Sequence, residues 1–378
     1  MSLRFKQNLK NRKTAENTFD HSLVVIVLMM LAFGLVMVFS SSSAYAHYVN
    51  GDATYYFKRQ LLWAVLGLIS MYIVSRLPYK IVERYANLVF VITFVLLLLV
   101  PIAGSGAKGA KRWLEIGPIR FQPSEIAKFS IVLYLAKAIS QNPRSVKKLK
   151  GGFINYMAVI VLTAGLVLIE PHMSGAMIIA LTGCAVLFVA GFDWKYFMAM
   201  AVTAVPAIVG LAVVSPYRFR RVTSFLHPFE DKLGDSWQIV QSLYAIGSGG
   251  LFGLGLGQSR QKFLYIPEPQ NDFIYSIICE ELGFIGAVFV ILLFAVLIWK
   301  CILIARKAPD TFSSLTVAGI TAQIAVQMLM NIAVVTSTMP VTGISLPFFS
   351  YGGTSLLILL AEMGIVLSVS RSANIEKS

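Results

Sequence analysis

Charge is what this chain has least of. Only 13% of its 378 residues are Asp, Glu, Lys or Arg, and acids are the scarcer, 18 against 32 bases. So little charge, with 57% hydrophobic residues and a mean hydropathy of +0.74, lies far outside the range of a soluble globular chain. Cysteine is sparse as well. Cys184, Cys279 and Cys301 lie within or at the ends of apolar runs at unrelated spacings, which argues against a disulfide framework or a thiolate metal cluster. No appended soluble domain, low-complexity segment or internal repeat stands out, so the chemistry is expected in one apolar domain and its loops.

What the chain does have is a series of long apolar runs. Backbone in hydrocarbon must satisfy its own hydrogen bonds, and a spanning helix needs about 20 apolar residues. The runs are too long for barrel strands. About ten transmembrane helices are expected, over 22–39, 61–77, 85–103, 126–139, 153–169, 173–190, 196–214, 273–299, 315–335 and 355–369. The first follows Arg4, Lys6, Lys10, Arg12 and Lys13 and is too long for a secretory signal, although Ala44-Tyr45-Ala46 resembles a cleavage site. Ten helices put both termini on one side. Arg76, Lys80, Arg84, Arg144, Lys147, Lys148, Lys150, Lys300, Arg306 and Lys307 in the short loops make that side cytoplasmic. The fold class is therefore an all-α polytopic membrane protein: a cytoplasmic tail over 1–21, a membrane domain over 22–371 and a cytoplasmic tail over 372–378. A large extracytoplasmic loop, 215–271, separates the seventh and eighth helices.

Two outside loops break the charge rule. Lys108, Lys111, Arg112 and Arg120 oppose a lone Glu115, and Arg218, Arg220 and Arg221 open the long loop. They suit either the anionic headgroups of the outer leaflet or an anionic substrate such as a diphosphate, for which Arg and Lys clamps are apt.

Several residues are chemically notable. Glu125 and Lys128, three apart on the fourth helix after Pro123 and Ser124, must point inward, since either charge near mid-membrane costs about 2.5–3.5 kcal/mol. They read as a local ion pair or as part of a site. Asp272 opens the eighth helix, where a carboxylate serves as a helix cap or, facing a basic entry such as Lys128, as a general base. Glu280 and Glu281, about 12 Å deeper by helical rise, are expected to serve packing. The glycines from Gly247 to Gly257 suit a phosphate cradle or a closely packed re-entrant loop, and no βαβ context makes them a dinucleotide fingerprint. Gln323, Gln327 and Asn331 form a stripe that must face the bundle interior. The glycine, proline and aromatic residues from Ser345 to Ser355 predict a structured loop. His172, at an outside turn with no second ligand nearby, reads as a structural residue.

Four motifs in order carry a resemblance over nearly the whole chain: Lys111-Arg112-Trp113 with 120–128; Trp237-Gln238-Ile239-Val240-Gln241-Ser242 leading into the glycine run; 265–283; and Pro340-Val341-Thr342-Gly343 through Gly353. With these the chain resembles the SEDS family (shape, elongation, division and sporulation; FtsW, RodA and SpoVE). The stretch from Gly255 to Lys262 looks more like the division and sporulation branch than the elongation branch.

The resemblance implies a peptidoglycan glycosyltransferase that joins lipid II units outside the cytoplasmic membrane and releases undecaprenyl diphosphate, by a single displacement with inversion. It implies catalytic roles for Asp272 and Lys128, with Lys128 also keeping Asp272 ionised. Arg120, Glu125, Lys111, Arg112, Trp237, Gln238, Gln241, Ser242, Gly249, Gly250 and Glu268 are implied at the substrate. A divalent cation, Mg²⁺ or Mn²⁺, is expected without a dedicated ligand cluster, held by substrate diphosphate with Asp272 as a possible ligand. The expected partners are lipid II, the growing glycan strand, membrane lipids and a single-pass class B penicillin-binding protein; nucleic acid is not expected. The chain departs from the family pattern at Asn271, Ile266 and Tyr275, and at Glu170-Pro171-His172-Met173-Ser174-Gly175 where many relatives have Gln-Pro-Asp-Leu-Gly-Thr. A lipid II flippase and a scaffold for a transpeptidase are the competing readings.

Overall fold

The computed structural model describes residues 19–375 apart from 108, 109, 118, 203–224, 226, 227, 231–233 and 235. The basic tail before residue 19, Lys108, and Arg218, Arg220 and Arg221 therefore lie outside the described residues, as does residue 203 onward of the helix expected over 196–214. Residues 194–202 of that segment are helical.

Apolar composition and well-placed ends make the remaining helices. α1 (His21–Asn50) starts where Asp20 accepts the Leu23 amide and stops at Gly51, whose left-handed φ of 70° ends the helix. α2 (Tyr55–Arg76), α3 (Tyr79–Ala103) and α4 (Pro123–Gln141) follow, the last with Pro123 in its first turn. α5 (Ile154–Ile169), α6 (Met173–Val189), α7 (Trp237–Gly249) and α8 (Ile274–Arg306) come next. α9 (Thr311–Val335) opens on a reciprocal capping box between Asp310 and Ser313, and α10 (Gly353–Ile375) completes the set.

Among the described residues seven helices are long and apolar enough to cross a membrane. α4 carries Glu125, Lys128 and Lys137, and α6 has 17 residues. The bundle has an inside and an outside: 61% and 67% of the apolar windows of α9 and α10 are buried, against 22% for α2 and α3. Leu62, Ile69, Leu88 and Val91 on α2 and α3 are left for lipid to cover.

Two local features differ from the expectation. The loop between α3 and α4 folds as an antiparallel sheet, β1 (Ser105–Ala107), β2 (Ala110–Ile116) and β3 (Ile119–Phe121), in which Glu115 faces Arg120 across the pair. Within β2, Leu114 is buried while Lys111 and Glu115 are exposed. The long loop 215–271 contains α7, whose Ile239, Val240 and Ala245 are buried.

Polar contacts define the two ends. At one, Arg371 donates to the Arg76 carbonyl (3.0 Å), Lys137 to the Arg84 carbonyl (3.0 Å) and Tyr79 to Asp310 (2.6 Å), while Arg76 lies 4.8 Å from the Phe19 ring. The start of α1 and the end of α10 thus share an end. The β-sheet, the α5–α6 turn and the segment before α8 lie at the other.

Helix α8 is broken at Gly283, where φ is 67° and ψ is −163°. The glycine run repairs the break: Leu254 and Gly255 amides donate to the carbonyls of Glu280 and Glu281, and Phe284 and Ile285 amides donate back to Gly250 and Leu251. A Cβ at Gly253 would sit 2.2 Å from the Glu281 carbonyl oxygen, so only glycine allows this approach. The run thus packs closely against α8, as one of its two readings expected.

Candidate active site

Asp272 is positioned by its backbone. The Tyr351 amide donates to Gln270 O (2.8 Å), the Ser350 hydroxyl to Asn271 O (2.6 Å), and Asn331 Nδ2 to both Asp272 O (2.8 Å) and Ile344 O (2.6 Å). The loop that reaches over is itself nailed to the core by Phe349, fully buried 5.5 Å from Phe33 and 5.9 Å from Phe294. That explains its aromatic content. The helix-cap reading of Asp272 does not hold: Phe273 occupies the cap position of α8, without a side-chain cap bond. The Asp272 carboxylate instead faces Gly343, where an added Cβ would lie 3.2 Å from Oδ2. Burial pushes its acid up to about 6, with Glu268 adding to the rise and Arg112 opposing it.

Beside Gly343 runs a cavity of about 30 Å³, with room for roughly two waters, lined also by Glu125, Lys128, His172, Gln327 and Ser345. Lys128, only 3% exposed, pairs with Glu125 Oε1 (2.8 Å) and donates to Gln327 Oε1 (3.3 Å). Ser355 donates to Glu125 (2.7 Å), and Gln327 Nε2 reaches Ser345 O (3.0 Å). The expected ion pair is thus real and lies in the site. The cation that acts on Asp272 is Arg112, which opposes the rise of its acid.

The two carboxylates of this region have opposite fates. Glu125 is matched by Lys128 and Ser355, whereas Glu170, 1% exposed, has neither carboxyl oxygen hydrogen-bonded. Burial pushes the Glu170 acid up to about 8 although Arg112 pulls it down. Arg112 donates through its guanidinium to the carbonyls of Glu170 and Pro171, which ties the β-sheet to the α5–α6 turn. Around Asp272 the buried side-chain oxygens of Gln270, Asn271 and Asn331 also lack hydrogen bonds.

Other sequence-derived residues sit elsewhere. Arg120 stays on the sheet, 3.6 Å from Glu115 and 5.0 Å from the Trp113 ring, with half its side chain exposed. Lys111 turns toward the carbonyls of Pro101 and Ile102 at the end of α3. Trp237 Nε1 donates to Tyr265 O (2.7 Å) and fastens α7 to the segment before Asp272; Gln238 and the buried Gln241 are on the same helix. Ser242 is locked between Ser276 (2.6 Å) and Val335 O (2.7 Å). Gly249 packs on the Cys279 carbonyl, and Gly250 closes the break in α8, so neither opens onto the cavity. Glu268 accepts from Asn271 Nδ2 (2.7 Å) beside Asp272.

Glu280 and Glu281 are fully buried, as packing required. Glu281 accepts from Ser40 (2.7 Å) and Lys262 (3.0 Å), and Glu280 from the Arg260 amide (2.9 Å). His172, Gln327, Gly343 and Ser345 are among the cavity residues the sequence did not assign to the substrate. Gln327 had a signal in the polar stripe of α9, and Gly343 and Ser345 in the Pro340–Gly353 motif.

Comparison with known proteins agrees with this architecture. The family FtsW/RodA/SpoVE, described as a cell cycle protein, matches residues 20–375. Stage V sporulation protein E of Bacillus subtilis (strain 168) is 43% identical over 95% of this chain and 98% of its own length. A probable peptidoglycan glycosyltransferase FtsW of Trichlorobacter lovleyi is 40% identical over 93% of each. Among solved structures, a chain of a peptidoglycan synthase complex that coordinates polymerization and crosslinking superposes with a TM-score of 0.79 at 29% identity, covering 94% of this chain and 99% of that one. The rod shape determining protein RodA of Thermus thermophilus gives 0.69 at 28% identity over 94% and 98%. With a family match across almost its full length and relatives at 40% and 43% identity, this multi-pass membrane protein belongs to the FtsW/RodA/SpoVE family.

Proposed function

We propose that the chain is a peptidoglycan glycosyltransferase that polymerises lipid II on the outer face of the cytoplasmic membrane. The observation that carries this reading is Asp272, a carboxylate with its acid raised to about 6, facing the glycine that also borders the Lys128 cavity. A sugar hydroxyl is a weak nucleophile, and an acid poised near neutrality is matched to taking its proton. Arg112 beside Asp272 and Lys128 in the cavity supply positive charge for the departing diphosphate. Proton removal and leaving-group stabilisation then operate in one inverting displacement, with no covalent intermediate.

A divalent cation fits this site. Among the described residues no cluster of three His, Cys, Asp or Glu exists, but the Asp272 carboxylate and the unbonded oxygens of Asn271 and Asn331 are the hard donors that Mg²⁺ or Mn²⁺ takes. Such an ion, when bound, supplies positive charge to a diphosphate. The end carrying Arg76, Lys80, Lys147, Lys148 and Arg306 is assigned to the cytoplasm because basic loops are retained there, which puts Asp272 outside. A single-pass transpeptidase fits as partner, in line with the synthase complex that the fold resembles.

The test is glycan formation from labelled lipid II by the purified protein with its cognate partner, for wild type and Asp272→Ala. Polymer from wild type alone supports the reading. Equal product from both would remove Asp272 from the chemistry, and none from either would favour transport or scaffolding.

A further inference from the structure

Resting on that reading, we propose that His172 is a further substrate-contacting residue, whose imidazole N–H donates to the diphosphate oxygens of the lipid-linked donor alongside Lys128.

The ring is placed by the fold. The His172 amide donates to Val167 O (3.3 Å) and its carbonyl accepts from Ala176 (3.2 Å), fixing the residue at the entry to α6. Gly175 makes room for the side chain: an added Cβ would lie 2.5 Å from His172 Cδ2 and 2.7 Å from Nε2. The imidazole therefore lies over the first turn of α6 and lines the cavity shared with Lys128, Gln327 and Ser345.

Charges of both signs surround it. Glu125 and Lys128 face it from α4 and Arg112 from β2, while Glu170 lies on its own turn and Asp272 beyond Gly343. Glu125 is already matched by Lys128 and by Ser355. Burial holds the ring neutral, well below the usual histidine range, against the pull of Glu125 and with Arg112 and Lys128 adding to it, and a neutral imidazole keeps one N–H to donate.

Lys128 cannot serve a diphosphate alone. Two of its three N–H bonds go to Glu125 and Gln327, which leaves one for several charged oxygens. A second donor in the same cavity meets that shortfall. A carboxylate at position 172 would compete for Lys128; an imidazole does not.

The experiment uses the full chain in nanodiscs with two readouts: the KM for labelled lipid II in polymerisation, and the Kd for undecaprenyl diphosphate. His172→Leu, which fills the space without a donor, should raise both by about tenfold with kcat little changed, and His172→Gln, which restores an N–H donor, should recover most of the loss. Unchanged KM and Kd in His172→Leu would overturn the contact while leaving the polymerase standing. Equal loss in the Leu and Gln variants would also overturn it, since packing alone then explains the position. Weakened diphosphate binding in His172→Leu, recovered in His172→Gln, from a protein that makes no polymer would uphold the contact and sink the polymerase.

Discussion

An acid raised to about 6 gives Asp272 a pH signature. Only its ionised form takes a proton, so kcat/KM should fall about tenfold per unit below pH 6 and level off above it. Arg112 opposes the rise, so Arg112→Gln should move this limb to higher pH; Glu268 adds to it, so Glu268→Gln should move the limb lower. A polymerisation pH profile checks both directions. Glu170 carries a signature of stability instead. Its acid ionises near 4.5 when exposed and near 8 in the fold, so the stability tied to its proton is complete below pH 4.5 and is lost as pH rises toward 8. Glu170→Gln should therefore match wild type near pH 4.5 and exceed it by pH 8–9, by on the order of 1–3 kcal/mol in detergent unfolding. Asp272 and Lys128 were legible as site candidates in the sequence because charges next to hydrocarbon must have a reason. His172 was not, since its place beside Lys128 arises only when α4 and α6 pack together.

At the scale of elements, the clasp between the glycine run and α8 is the main object. It joins backbone segments about thirty residues apart, so the sequence shows the glycines but not what they close on. Lys262, 3% exposed, depends on Glu281 and on the Gly257 carbonyl. Removing one member of such a buried pair costs about 3–5 kcal/mol, whereas replacing both by apolar residues is often neutral. Glu281→Ala should thus lower the unfolding midpoint sharply, and Glu281→Leu with Lys262→Met should recover much of it. Gly283→Ala should be comparably harmful, because φ is 67° and a Cβ would lie 2.4 Å from the Gly253 amide. The helix positions, by contrast, were readable from apolar runs alone, and their ends were less so: α1 continues to Asn50 through Ser40, Ser41 and Ser42, polar residues that the bundle buries.

For the whole molecule, the assignment of sides is open to direct measurement. Lys147→Cys should react with an impermeant thiol reagent only from the cytoplasmic face and Glu115→Cys only from the outside; the reverse pattern would invert the bundle and move Asp272 to the wrong compartment. The order of helices also bears on how the protein is made. Among the described spanning helices α10 is the most buried, and the loop that pins Gln270, Asn271 and Asp272 directly precedes it. During synthesis the Asp272 segment emerges some eighty residues before the strap that fixes it, and the strap, held by α1, α8 and α9 through Phe33, Phe294 and Asn331, is followed directly by the last helix. A chain cut before the strap would therefore carry Asp272 and Lys128 without the contacts that fix the Gln270–Asp272 backbone, and is expected to make no polymer.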